Sequence, residues 1–304
     1  MSDVSATSEH GNRLKRRAAV AAVAVAGVLI VAKAVAWFMT GSMSILSTLI
    51  DSMLDLAASV VNLVAVRQAI QPADREHRFG HGKAEPLAGL AQAAFISGSV
   101  LFLLFEAGSR LFHPRPIERS EVGLAVMALS IVLTVALVLY QRHVVRRTRS
   151  VAISADSLHY ATDVLTNGAV VLALVLSSQF GWTLADPLFA IAVGLIVLRG
   201  VWEILNGSLN QLMDRELPQE DRDRIRAIAQ AHPGVIGMHD LRTRAAGSHA
   251  FIQLHLEMEG SLTLLEAHSI AEAVMAEIEA AYPTAEVLIH EDPHGVPEPR
   301  AVFN

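Results

Sequence analysis

The chain has 304 residues, 52% of them hydrophobic, with a mean hydropathy of +0.41, 13 histidines and no cysteine. The apolar share exceeds that of ordinary soluble domains, and the lack of cysteine excludes disulfides and thiolate ligands. The net charge of −6 divides unevenly: residues 1–208 carry 17 Lys+Arg against 14 Asp+Glu, the remainder 7 against 16. A near-neutral apolar part therefore precedes an acidic part of net −9, and no basic stripe suggests nucleic acid.

Residues 1–13 read as an N-terminal cytoplasmic tail, and residues 14–208 as a transmembrane domain of six helices. The apolar stretches are Leu14–Trp37, Met43–Ile70, Ala84–Phe112, Val122–Tyr140, Val151–Ser178 and Thr183–Leu205. Each is near or above the ~20 residues a bilayer helix needs. Short turns such as Met39-Thr40-Gly41-Ser42 and His113-Pro114-Arg115-Pro116 separate them. The first stretch follows Arg13-Leu14-Lys15-Arg16-Arg17 as a signal peptide would, but no small-residue cleavage site follows, so it reads as a retained helix. The N-terminal tail, the loop from Arg67 to Lys83 and the segment Arg142–Arg149 hold 12 Lys+Arg, against 3 (Arg110, Arg115, Arg119) in the loops opposite. This bias predicts that both termini face the cytoplasm, in a multi-pass membrane protein.

Two of the stretches carry ligand-type side chains four residues apart, Asp51 and Asp55 in the second and His159 and Asp163 in the fifth. That spacing puts both members of a pair on one helical face, about 5–6 Å apart at Cβ. Each ionisable group in lipid costs at least ~2.5 kcal/mol, and such groups mark function by default. The bland alternative is polar pairing between helices, which Asn or Ser does at less cost. Three carboxylates and an imidazole make a closed set for a divalent transition metal. The imidazole shifts preference from Mg2+ or Mn2+ towards Zn2+, Fe2+ or Cd2+. An imidazole also titrates at an ordinary pKa of about 6.5, so protons and metal compete for one nitrogen near neutral pH. Asp156, at i−3 from His159, reads equally as the residue that orients His159 and as a helix-entry residue. Leu158 reads as a packing residue, with a hydrophobic gate as the alternative. Asp51-Ser52 with Asn62 is echoed by Asp156-Ser157 with Asn167, a match too short to define a repeat.

Residues 209–294 read as a cytoplasmic α+β domain of order αββαβ, and 295–304 as a C-terminal tail. A helix opens after Pro218, with Glu220 and Asp221 in its first turn, and closes at His232-Pro233-Gly234. Strands are expected at Val235–Thr243, Ala250–Met258 and Ala285–His290, and a second helix over Leu262–Tyr282. In the middle strand Ile252, Leu254, Leu256 and Met258 alternate with Gln253, His255 and Glu257. His232 and His249 read as surface residues, whereas His239, His255, His290 and Asp292 sit on or beside three different strands that a sheet can bring together.

The chain resembles the cation diffusion facilitators, in particular the bacterial zinc/ferrous-iron efflux branch. The motifs are Asp51-x3-Asp55, His159-x3-Asp163, Phe79-Gly80-His81-Gly82-Lys83-Ala84-Glu85, His239-Asp240-Leu241-Arg242, Gln253-Leu254-His255-Leu256-Glu257 and His290-Glu291-Asp292-Pro293. The resemblance covers nearly the whole chain. It implies a transport site of Asp51, Asp55, His159 and Asp163, and a loop site of Asp74, His77 and His81. It also implies a cytoplasmic-domain site of His239, His255, His268, His290 and Asp292, and a charge interlock between Lys83 and Asp214. The spacing Asp74-x2-His77-x3-His81 suits ligands, though short His/Asp clusters in loops are often incidental. Glu291 stands where the zinc branch often has a neutral amide. The family further implies a homodimer with a metallochaperone-like cytoplasmic domain, which exchanges cytoplasmic metal for protons by alternating access.

The expected function is a proton-coupled antiporter exporting Zn2+, and with it Fe2+ and Cd2+, with His159 as the coupling residue. Zn2+ is both cargo and tail ligand, and no nucleotide is expected because no GxxxxGK[ST] sequence occurs. A membrane metalloenzyme is disfavoured by the closed ligand set and the absence of GxSxG. A membrane-anchored metal sensor would tolerate loss of Asp51, and a channel would be trapped by four tight ligands.

Overall fold

The computed structural model describes residues 2–112, 121–180, 182 and 184–296. The expected turn at His113-Pro114-Arg115-Pro116, with Arg119 and residues 297–304, lies outside them. Six long helices come first: α1 Ser2–Thr40, α2 Met43–Ala69, α3 Ala84–Phe112, α4 Glu121–Thr148, α5 Val151–Phe180 and α6 Ala185–Leu212. α1 begins at Ser2, so the stretch expected as a tail is helical. It turns into α2 at Gly41, whose φ of +63° is open to glycine without strain. Among the described residues, five segments are long and apolar enough to cross a membrane: Glu9–Thr40, Ile45–Ala69, Ala84–Ser109, Ala125–Thr148 and Ala185–Leu212. α5 is not among them; Asp156, His159 and Asp163 occupy its N-terminal half.

The chain divides into two compact units, with the boundary at Leu209/Asn210 and residues 1–10 grouped with the second. In the first, apolar packing joins α3, α5 and α6 through Ile96, Val100, Ala155, Val197 and Val201. A Cβ on Gly200 of α6 would lie 2.8 Å from Leu158 Cδ1, so this glycine lets α5 and α6 approach closely. Leu158 packs into that cluster, which supports its reading as a packing residue.

The second unit has the expected αββαβ order: α7 Gln219–Ala231, β1 Gly237–Ala246, β2 His249–Met258, α8 Leu264–Ala281 and β3 Ala285–Pro293. β2 is central, antiparallel to β1 and parallel to β3, so α8 is the crossover that a parallel pair requires. Ile252, Leu254, Leu256 and Met258 of β2 are buried with Ile225 of α7 and Val274 and Ile278 of α8. The alternate residues Gln253, His255 and Glu257 are left for the other face.

α8 starts on a capping box: Glu266 accepts from the Thr263 backbone N–H at 2.8 Å, and the Thr263 hydroxyl accepts from Glu266 N–H at 3.4 Å. The backbone N–H of Thr263 holds the Glu266 carboxyl below its ordinary value of 4.5. A lowered folded-state pKa means stabilisation that is complete above 4.5 and lost as pH falls through the folded-state value. Amide exchange in the first turn of α8 should therefore be severalfold faster in Glu266→Ala at neutral pH. The two proteins should converge on acidification below that value; a gap that persists would refute the cap's charge dependence.

Candidate metal centres

In the first unit, α2 and α5 bring Asp55, His159 and Asp163 together, with one ligand atom from each within 4.8 Å of the others. His159 Nε2 lies 3.1 Å from Asp55 Oδ1. The same nitrogen would coordinate a metal, so the hydrogen bond and the metal bond exclude one another. The rings of Phe95 and Tyr160 stand edge-on to the imidazole at 5.6 and 5.3 Å. Asp51 lines the same cavity of about 720 Å³ but lies outside the close trio.

Asp156 has another role than orienting His159. It is fully buried and accepts hydrogen bonds from Gln141 of α4 at 2.6 Å and Gln92 of α3 at 3.4 Å. The carboxylate thus ties α3 and α4 to α5, and His159 takes its partner from α2 instead. The echo between Asp51 and Asp156 does not extend to their surroundings. Nearby, Tyr160 shares a 2.7 Å hydrogen bond with Ser59, and Lys15 pairs at 2.6 Å with Glu85, which accepts from Ser150 at 2.5 Å.

Sequence reading passed over two residues of the cavity, Lys33 of α1 and Glu106 of α3. Neither has an i+4 partner of metal-ligand type. The only signal was their cost in that setting.

In the loop after α2, Asp74 Oδ1 lies 3.3 Å from His77 Nδ1 and Oδ2 lies 3.4 Å from His81 Nε2. The two rings are 4.5 Å apart. Backbone N–H groups of His77 and Glu76 donate to Asp74 and hold its carboxyl below the usual aspartate range. The loop therefore presents an ionised carboxylate between two imidazoles before any ion arrives.

In the second unit, sheet register does the assembling. His239 pairs with His255 and His255 with His290, so three histidines lie side by side across three strands. Asp292, two residues beyond His290 on the same face, is buried among them. Its oxygens lie 2.8 Å from His255 Nδ1, 3.1 Å from His290 Nε2 and 3.4 Å from His239 Nε2. A bulge between His239 and Arg242, with Asp240 at φ +47°, breaks the β1–β2 register beside the site. His268 lies 4.0 Å from Glu291, the residue between His290 and Asp292. Glu257, missed in the sequence, lies 3.1 Å from both His239 Nδ1 and His294 Nδ1. Its place at i+2 from His255 on the same strand was the available signal. Asp214, named for the interlock, lies 3.4 Å from Arg244 Nη1.

Long apolar helices that converge imidazole and carboxylates on one cavity, followed by a separate sheet domain with its own imidazole–carboxylate cluster, define a membrane carrier of metal ions. Residues 19–213 match the cation efflux transmembrane domain and residues 217–294 the cytoplasmic domain of cation efflux proteins. The chain belongs to the cation efflux family, also called cation diffusion facilitators, and is a multi-pass membrane transporter of divalent metal. It is 50% identical over 273 residues to the cation-efflux pump FieF of Shewanella oneidensis, covering 90% of this chain and 92% of that protein. It is also 50% identical over 284 residues to FieF of Klebsiella pneumoniae, covering 93% of this chain and 94% of that protein. A solved structure of CzrB in its Zn form is 33% identical over 28% of this chain and 99% of its own, with a TM-score of 0.27.

Because Asp156 is enclosed, losing a donor leaves a buried carboxylate short of a partner, at about 1–3 kcal/mol or more. Gln141→Leu should lower detergent-solubilised stability by that order, with the midpoint of thermal unfolding as readout. An unchanged midpoint would show that Gln92 alone satisfies Asp156.

Proposed function

We propose that the protein is a proton-coupled antiporter that exports Zn2+, with Fe2+ and Cd2+ as further cargo, by alternating access. The observation that carries this reading is the convergence of Asp55, His159 and Asp163 within 4.8 Å inside otherwise apolar helices. Asp51 completes the set from the same cavity, one helical turn before Asp55. The carboxylates supply charge for a divalent ion, and the imidazole narrows the choice towards Zn2+-like ions. A proton arriving on His159 removes the lone pair the metal needs, which couples release to proton entry. α5 is the sixth span, and both termini face the cytoplasm of the inner membrane, in keeping with the basic loops.

In this reading residues 14–208 form the transport domain and 209–294 the cytoplasmic domain of a homodimer. Asp74, His77 and His81 hold a loop metal. The tail metals sit on His239, His255, His290 and Asp292, with His268 at their edge, and Lys83 and Asp214 form the interlock. Two tails of net −9 repel one another, and bound cations screen that repulsion and draw the tails together. The name of the two FieF relatives, cation-efflux pump, supports the export direction.

The decisive measurement is Zn2+ flux in proteoliposomes under an imposed pH gradient. Wild type should show gradient-driven flux, and Asp163→Ala should lose it by tenfold or more; equal flux in the two would overturn the site assignment. For the tail, spin-label distances between the two cytoplasmic domains should shorten when Zn2+ is added. A distribution that Zn2+ leaves unmoved would remove the regulatory role.

A further inference from the structure

The cavity that holds the carboxylates also holds an ammonium, Lys33, among the residues that line it. Its Nζ donates to Ser52 Oγ at 2.6 Å and to the Thr48 carbonyl at 3.1 Å. Those bonds use two of its three donors. Thr48, Ser52 and Asp55 recur at i, i+4 and i+7, so Lys33 is docked on the stripe of α2 that carries Asp55, beside Asp51. Its charge acts on Asp55, Asp163 and Asp51 together.

A tether between α1 and α2 needs no charge. A neutral side-chain amide, with two N–H donors, would make the same hydrogen bonds at far lower desolvation cost. An ammonium has no lone pair, so it is not a ligand. What it brings to this cavity is a positive charge, held in place by Thr48 and Ser52, among the carboxylates and any cation they bind.

We infer that Lys33 is the built-in counter-cation of the metal cavity, which balances its carboxylates between cargo ions and weakens their hold on a divalent ion so that it leaves. The inference rests on the transport-site reading given above. The sign follows from Coulomb's law: a fixed cation in the same low-dielectric cavity repels a divalent ion, and removing it tightens binding. A carrier gains from this because a site of three carboxylates and an imidazole, left to itself, would release its ion too slowly.

The test is Zn2+ affinity of the full-length protein in nanodiscs, counted as the binding that Asp163→Ala abolishes. Lys33→Gln keeps a hydrogen-bond donor for Ser52 and Thr48 but removes the charge. It should tighten this binding on the order of tenfold and slow flux at saturating Zn2+. Lys33→Arg keeps the charge and should not tighten it. Lys33→Met serves as a second neutral variant should Lys33→Gln fold poorly, since a packing defect weakens binding rather than tightening it. Unchanged or weaker binding in a folded neutral variant would overturn the inference, as would equal tightening by Lys33→Arg. If Asp163→Ala abolishes no binding, the transport-site assignment fails, and that outcome is distinct from either result at Lys33.

Discussion

The constraint on which this structure depends is that an ionisable side chain among apolar helices must be given partners by other helices. No water is at hand in the hydrocarbon to take that part. The first unit meets it with ties that each cross between elements. Lys15 of α1 meets Glu85 of α3, which also accepts from Ser150 at the start of α5. Asp156 of α5 gathers Gln92 of α3 and Gln141 of α4. Tyr160 of α5 reaches Ser59 of α2, and Lys33 of α1 reaches Ser52 of α2. The ties fix the helices' rotations, because a small turn of any helix would strand a buried polar atom. Asp55, His159 and Asp163 inherit their convergence from this frame.

The candidate metal site differs from these ties in one physical respect. Asp156, Glu85 and Tyr160 are enclosed and satisfied by neutral donors or a single opposite charge. Asp51, Asp55 and Asp163 share one cavity with a single imidazole and a single ammonium. Negative charge in excess of its protein partners is what a cation carrier requires, since the cargo supplies the balance only while bound. The structural ties gather no such excess: Glu85 is balanced by Lys15, and Asp156 is a single carboxylate held by two amide donors.

The helices, the αββαβ order and the paired ligand-type residues of α2 and α5 were legible because each rests on local periodicity. Strand alternation at Ile252, Leu254, Leu256 and Met258 and the i,i+4 spacing at Asp51/Asp55 and His159/Asp163 need no knowledge of distant residues. What sequence did not resolve is what depends on register or on helix rotation. Asp156 stood at i−3 from His159, and spacing alone permitted the contact. Helix α5 instead turns Asp156 towards Gln92 and Gln141 and turns His159 towards Asp55. Lys33 had no spacing signature, because its partners lie on α2. His268 was grouped with the tail ligands by resemblance, while the fold sets it beside Glu291.

The cytoplasmic site shows how little long-range information a sheet needs to make a polydentate cluster. Once β2 is paired with both neighbours, His239, His255 and His290 are aligned by register. The pleat alone then places Glu257 and Asp292, two residues beyond His255 and His290, on the same face. A one-residue slip in either pairing would turn that strand's histidine towards the apolar layer of Ile225, Val274 and Ile278. The hydrophobic alternation of β2 forbids such a slip, because it would expose Ile252, Leu254 and Leu256. The core of this small domain therefore specifies its imidazole–carboxylate face as a by-product of burying its own apolar side. The membrane unit has no such pleat, and must hold its cluster through the individual polar ties between helices.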